Sequence, residues 1–180
     1  PVTAGDIKWS IERIADPETE SPLVDVFLGD IVGFLDKLEG RATDVEGVRV
    51  IDDQTLSITI DPPKVYFLSK LTYPSAFVLD RNNVEGNPNW FLQPNGTGPF
   101  KLTEYEPGVI LRLTRNEFYH LGPPKLKEVE FILSGGNSLL MYENDEIHIS
   151  GFGFLDLEGI LDPSNPLSEE VVQASPDFGV

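Results

Sequence analysis

The stretch Gly96–Tyr119, GTGPFKLTEYEPGVILRLTRNEFY, decides how the chain is read. Phe100 and Leu102 alternate with polar residues, Pro107-Gly108 supplies a turn, and Val109, Leu111 and Leu113 alternate on the return. Period-two alternation on both sides of a turn dipeptide predicts a β-hairpin. The hairpin starts from an unusual run. Gly96 and Gly98 suggest backbone conformations closed to other residues, and Pro99 fixes its own φ and biases Gly98 toward an extended form. Such a start suits a junction between two parts of a fold.

Upstream, Thr3 and Asp6 have capping-box spacing, and Ile7, Ile11 and Ile14 share one helical face until Asp16-Pro17 ends the helix. Trp9 reads as a packing residue. Ser21 is expected to cap a second helix with Pro22 at its first position. Ile31, Phe34, Leu35 and Leu38 predict a third, closed by Gly40. VRVIDDQTLSITI, within 48–60, predicts another hairpin around Asp52-Asp53. A short helix is expected over 65–71 and a strand over 76–79. The irregular run 81–98 marks the expected boundary between a part spanning 1–94 and a part spanning 95–180. Beyond the Gly96 hairpin, the pattern predicts strands at 129–133, 146–150 and 171–174 and helices at 138–143 and 155–161. The fold class is mixed α/β, built from short elements.

The function classes open to this chain are limited by its composition. With 13 basic against 30 acidic residues and a net charge of −17, it repels phosphate backbones, so nucleic acid is not an expected partner. The absence of cysteine excludes disulfides, thiolate metal sites and thiol nucleophiles. His120 and His148 have no metal-type spacing. There is no GxSxG elbow and no Walker loop, and Gly151-Phe-Gly153 lacks the third glycine of a dinucleotide fingerprint. Acidic pairs such as Asp52-Asp53 and Asp145-Glu146 fall at turns. No catalytic residue, metal or cofactor is expected. The abrupt start into a capped helix reads as a piece of a larger protein.

Five segments, taken together and in order, resemble extracellular solute-binding proteins of family 5, which serve peptide and nickel ABC importers. They are PVTAGDIKWSIERIADPETESP, VRVIDDQTLSITI, the Gly96–Tyr119 stretch, PPKLKEVEFIL and YENDEIHIS. FLDKLEGRATDVEGVRVIDD is most similar to the oligopeptide-binding branch. The resemblance implies part of the first lobe of a type II periplasmic-binding-protein fold. Residues 1–94 would be a peripheral subdomain and 95–180 part of the central-sheet subdomain, with the second lobe absent. It also implies an extracytoplasmic, monomeric binding protein that delivers a peptide or other small solute to a membrane ABC permease. Asp145 stands where the family favours glycine, which suggests φ > 0, and His148 replaces the usual aspartate. The ligand-facing residues it implies are Leu23, at a position where peptide-binding relatives carry an aromatic, and Ser150, Gly151, Phe152 and Gly153 in a loop that lines the cleft. Phe152 and Phe154 are alternatively core residues at a strand end. Two other function classes stay open on sequence: an extracellular recognition module for glycans or a protein partner, and a hydrolase built on a carboxylate pair.

Overall fold

The structure is a computed structural model that describes residues 1–172. Helix α1 (Ala4–Ile14) begins as the sequence dictates. The Thr3 hydroxyl accepts from the Asp6 N–H at 3.3 Å, and the Asp6 carboxylate accepts from the Thr3 N–H at 2.8 Å. Two of the orphan donors at the helix start are thereby satisfied. Ile11 and Ala15 are buried, and Ile7 and Ile14 pack beside them.

The second helix, α2 (Val24–Leu28), starts later than Ser21-Pro22 predicted. Leu23 precedes it in the left-handed region (φ 60°, ψ 12°), without a side-chain cap. Burial sets this register: Val24 and Leu28, one turn apart, are both enclosed. In α3 (Phe34–Leu38), Phe34 is fully buried, and Gly40 follows the helix at φ +74°, as expected for a closing glycine. Ile31 does not join α3. It forms a β-bridge with Ile60 instead.

The first hairpin is present. β1 (Val48–Asp52) pairs antiparallel with β2 (Thr55–Ile58), Val48 opposite Ile58 and Val50 opposite Leu56, with an irregularity between Val50 and Asp52. α1 lies against this hairpin. Ile11, Ala15, Val24, Leu28, Ile31, Phe34, Val45, Val48 and Phe67 form one core. Phe67 comes from α4 (Phe67–Lys70), inside the range expected for a helix.

Residues 76–79 are not a strand. Pro74–Ala76 is a 3₁₀ turn, and the extended backbone after it docks on α1: the Leu79 N–H donates to the buried Ser10 hydroxyl at 2.9 Å. A side chain takes the role of the missing ladder partner. Within 81–98 lie a single helical turn, α5 (Arg81–Val84), and a 3₁₀ turn, Trp90–Leu92.

The second hairpin is also present, as β3 (Phe100–Glu106) and β4 (Ile110–Arg115), with Gly108 at φ +74° in the turn. β5 (Glu128–Ile132) completes a sheet of order β3-β4-β5. Neither Gly96 nor Gly98 takes a positive φ, so the reason expected for those glycines does not apply. α6 (Ser138–Glu143) is capped by Asn137, whose side chain accepts from the N–H groups of Leu139 and Leu140. Asp145 sits at φ 59°, as its substitution for glycine suggested. Residues 146–150 are irregular rather than a strand, with no neighbouring strand to pair with among the described residues. α7 (Phe154–Ile160) lies one residue earlier than expected at each end. Val171 and Val172 have no strand structure, and the rest of the expected strand at 171–174 lies outside the described residues.

The molecule divides into two compact units. One holds Pro1–Glu106 with Leu111–Phe131; the other holds Pro107–Ile110 and the described residues from Ile132 on. No helix among the described residues is long and apolar enough to cross a membrane.

Candidate functional site

The sequence-derived site residues fall in different units. Leu23 belongs to the first. It is 57% exposed, just before α2, and Val26 within α2 is 53% exposed. The left-handed backbone of Leu23 fixes how the side chain leaves the surface. Beside it the Phe27 and Tyr73 rings stack, with centroids 3.6 Å apart and planes 4° from parallel. Tyr66 is half-exposed, and Lys70 lies over its ring at 5.5 Å. Leu23, Val26, the Phe27–Tyr73 stack and Tyr66 thus lie near Lys70 and the exposed Asp25.

That ammonium is held from below. Lys70 Nζ donates to the Val26 carbonyl at 2.7 Å and to Asp30 Oδ2 at 2.7 Å, and Lys64 binds the other oxygen of Asp30. Asp30 is buried. Burial pushes its carboxyl upward, but hydrogen bonds from Lys64 and Lys70 outweigh that and hold it below its ordinary value. The ionised Asp30 thus ties α4, α2 and the segment between them together. Neither lysine was singled out by sequence, because partners 34 and 40 residues away leave no local pattern.

Ser150, Gly151, Phe152 and Gly153 belong to the second unit and form an irregular segment that leads into α7. The Gly151 carbonyl accepts from the Ser150 hydroxyl at 2.9 Å and from the Ser138 hydroxyl at 3.3 Å. The Gly153 N–H donates to Asp156 Oδ2 at 3.1 Å, which anchors the start of α7. A Cβ placed on Gly151 would meet nothing within 4 Å. The backbone there is open to approach from outside. Phe152 is 37% exposed and Phe154 is 87% exposed, so neither is a core residue here. Phe154, Leu155, Leu157, Glu158 and Leu161 line an open hollow of about 330 Å³ on α7.

His120 packs edge-on against Tyr119, with centroids 4.6 Å apart. Among the described residues no group of three histidines or carboxylates is placed to hold a metal ion. What the two surfaces offer is apolar contact, backbone amides and charged side chains.

Residues 1–170 match the family described as bacterial extracellular solute-binding proteins, family 5 Middle. The chain belongs to that family. Among its curated relatives, the dipeptide-binding protein DppE of Bacillus subtilis is 33% identical over 125 residues, which are 66% of this chain and 22% of that protein. The periplasmic oligopeptide-binding protein OppA of Salmonella typhimurium is 34% identical over 125 residues, again 66% of this chain and 23% of the relative. In structure, the murein tripeptide-binding protein MppA of Escherichia coli superposes with a TM-score of 0.82 at 28% identity, over 92% of this chain and 34% of that one. The family 5 sequence thus spans between about a fifth and a third of the length of these relatives. Its small sheets and short helices are part of a periplasmic-binding-protein-like fold.

Proposed function

We propose that this family 5 protein is part of the substrate-binding component of an ABC importer, capturing peptides outside the cytoplasm and handing them to a membrane permease. The observation that carries the reading is the family match across residues 1–170, together with relatives named for dipeptide, oligopeptide and murein-peptide binding. The protein binds and releases; it performs no chemistry on its ligand. In this reading residues 1–94 are a peripheral subdomain of the first lobe, and 95–180 are part of its central-sheet subdomain. The full protein acts as a monomer.

The surface around Leu23 and the segment Ser150–Gly153 are the parts that face the peptide. An extended peptide is held through its backbone amides and carbonyls, with roomy, wet pockets for its side chains. The open backbone at Gly151 suits the first requirement, and the exposed Phe152 ring suits an apolar side chain. Leu23 offers a branched aliphatic surface in place of a ring.

Native mass spectrometry of the full-length protein, followed by calorimetry with the peptides it retains, tests this. Peptides of two to several residues that bind at micromolar affinity or better are expected. Retention of a sugar or a nickel chelate, with no peptide binding, would overturn the peptide assignment while leaving the family untouched.

A further inference from the structure

Asn95-Gly96 is the one Asn-Gly pair in the sequence, and it lies in the run that leads into β3. Residues 93–97 are all exposed. A Cβ on Gly96 would meet nothing within 4 Å, and among the described residues the Gly96 N–H has no hydrogen-bond partner. An unshielded, unpaired amide following an asparagine is the nucleophile that side-chain amide loss requires. Other asparagines are less well placed. Asn87 and Asn165 precede proline, which has no N–H. The N–H groups that follow Asn82, Asn89 and Asn144 are each hydrogen-bonded to a backbone carbonyl. Asn83 lies within α5. Asn116 is buried, and Asn137 is engaged as the cap of α6.

We propose that Asn95 is a self-modification site, converting in water to aspartate and isoaspartate through a cyclic imide closed by the Gly96 nitrogen. Hydroxide removes the Gly96 amide proton, and the nitrogen lone pair forms a bond to Asn95 Cγ. The Cγ–Nδ2 bond breaks, and the nitrogen takes up a proton from water and leaves as ammonia. Water then adds to one of the two ring carbonyls. Cleavage of the Cγ–N bond gives aspartate; cleavage of the original peptide bond gives isoaspartate, with the backbone rerouted through the former side-chain carbon. No oxidant or reductant enters.

The conversion has a structural consequence at this position. Asn95 Nδ2 donates to Asp80 Oδ2 at 2.7 Å, while Asp80 Oδ1 accepts from the Asn82 N–H at 2.9 Å and so caps α5. The Asn95 amide thus ties α5 to the segment leading into β3. After conversion that donor is gone, and two carboxylates face each other in its place. The tether becomes a repulsion, screened by salt.

The purified folded protein is held at mildly alkaline pH and sampled by peptide mapping, with isoaspartyl methyltransferase labelling as the second readout. Products are expected at Asn95 first, ahead of Asn137-Ser138, and Gly96→Val is expected to slow them by at least an order of magnitude. Conversion at Asn137 before Asn95, or at an unchanged rate in Gly96→Val, would overturn the site. For the consequence, Asn95→Asp is expected to lower the thermal midpoint by roughly 1–3 °C at low salt, with the gap narrowing as salt is added. Asn95→Asp in an Asp80→Asn background is expected to recover that loss. An Asn95→Asp midpoint equal to that of the unchanged protein, with or without salt, would overturn the tether.

Discussion

Asn116 clamps Gly98. Its side-chain amide donates to the Gly98 carbonyl at 3.0 Å, and its own N–H donates to the neighbouring Pro99 carbonyl at 2.7 Å. Asn116 follows directly on β4 and is buried, while its Oδ1 accepts from the Phe118 N–H at 3.1 Å. One side chain therefore fixes the path into β3 and the turn out of β4. The bend at the start of the hairpin is held by this asparagine rather than by glycine conformational freedom. Asn116→Ala removes two part-buried hydrogen bonds, each worth about 0.5–1.5 kcal/mol, and is expected to cost about 1–3 kcal/mol. Gly98→Ala, whose Cβ would meet only the Phe100 carbonyl oxygen at 3.8 Å, is expected to stay within about 1 kcal/mol of the unchanged protein. Gly98→Val is not expected to damage folding more than Gly153→Val, since a Cβ at Gly153 meets Asp156 Oδ2 at a similar 3.6 Å. Urea unfolding of the single variants decides; a larger loss at Gly98 than at Asn116 would restore the glycine argument.

Gly47 is a glycine that the structure does require. A Cβ there would lie 2.7 Å from the Thr59 carbonyl oxygen, 2.8 Å from the Val32 carbonyl oxygen and 2.9 Å from the Val32 nitrogen. The same residues bond the Gly47 backbone: its N–H donates to the Val32 carbonyl and its own carbonyl accepts from the Thr59 N–H, both at 2.8 Å. Backbone crowded from three directions cannot step aside without breaking these bonds. Gly47→Ala is expected to cost about 2–4 kcal/mol, the range of overpacked sites with lost hydrogen bonds. An unfolding midpoint unchanged by Gly47→Ala would mean that the backbone around the start of β1 yields easily, and the crowding argument would fail.

Asp30 gives a pH signature with a definite sign. Its folded carboxyl titrates below the ordinary value of 3.8. As pH falls, the unfolded protein binds its proton first, so the stability Asp30 contributes is complete above pH 3.8 and is lost as pH drops through the lower folded value. Asp30→Asn is therefore expected to be less stable at neutral pH, by about 1–3 kcal/mol, because two ammonium groups lose their carboxylate. The two midpoint curves should converge below about pH 4. Parallel curves down through the acid range would show that Asp30 does not carry this ion cluster.

Legibility followed the range of the interaction. Both hairpins could be read because each is a run of alternating residues joined by a turn, and α1 because Thr3, Asp6 and the three isoleucines act within one short segment. The start of α2 was misplaced because the burial of Val24 and Leu28 outweighed the capping pattern at Ser21-Pro22. The extended run before Leu79 was misread because its partner is the Ser10 hydroxyl, 69 residues away, and not a strand. In the candidate site, the glycines flanking Phe152 lie in an exposed, irregular segment. The Asp30 ion cluster beneath α2 was not legible, because one acidic residue among 30 carries no mark of its distant lysines.

The segment around Gly151 allows binding to be separated from folding. A Cβ there meets nothing within 4 Å, so Gly151→Val is expected to change stability by no more than about 0.5 kcal/mol. In the full-length protein, a ligand backbone lying against that segment would be displaced by the added side chain. Peptide affinity is then expected to weaken by roughly tenfold, which corresponds to about 1.4 kcal/mol. Calorimetry on Gly151→Val and Phe152→Ala, each checked for an unchanged midpoint, distinguishes the cases. Full affinity in both variants would remove this segment from the ligand-facing surface.

The 180 residues by themselves are expected to bind peptide far more weakly than the full-length protein. They span 22% of DppE and 34% of MppA, so in the proposed reading they supply only part of the wall around the ligand. Sites for small ligands bury roughly 70–90% of the ligand surface, and removing the opposite wall removes much of that burial. The loss of translational and rotational freedom on binding remains, at about 4 kcal/mol or more. If the full protein binds near the micromolar level, about −8 kcal/mol net, its contacts supply about −12 kcal/mol against that cost, and half of them leaves only about −2 kcal/mol, weaker than millimolar. The core around Phe34 and Leu28 lies within these residues, so weak binding would not simply report an unfolded sample. A far-ultraviolet spectrum and a cooperative melt establish that first. Titration of one peptide pool into both proteins then decides, and micromolar binding by the 180 residues alone would mean that the site is complete within them and the shared-wall picture is wrong.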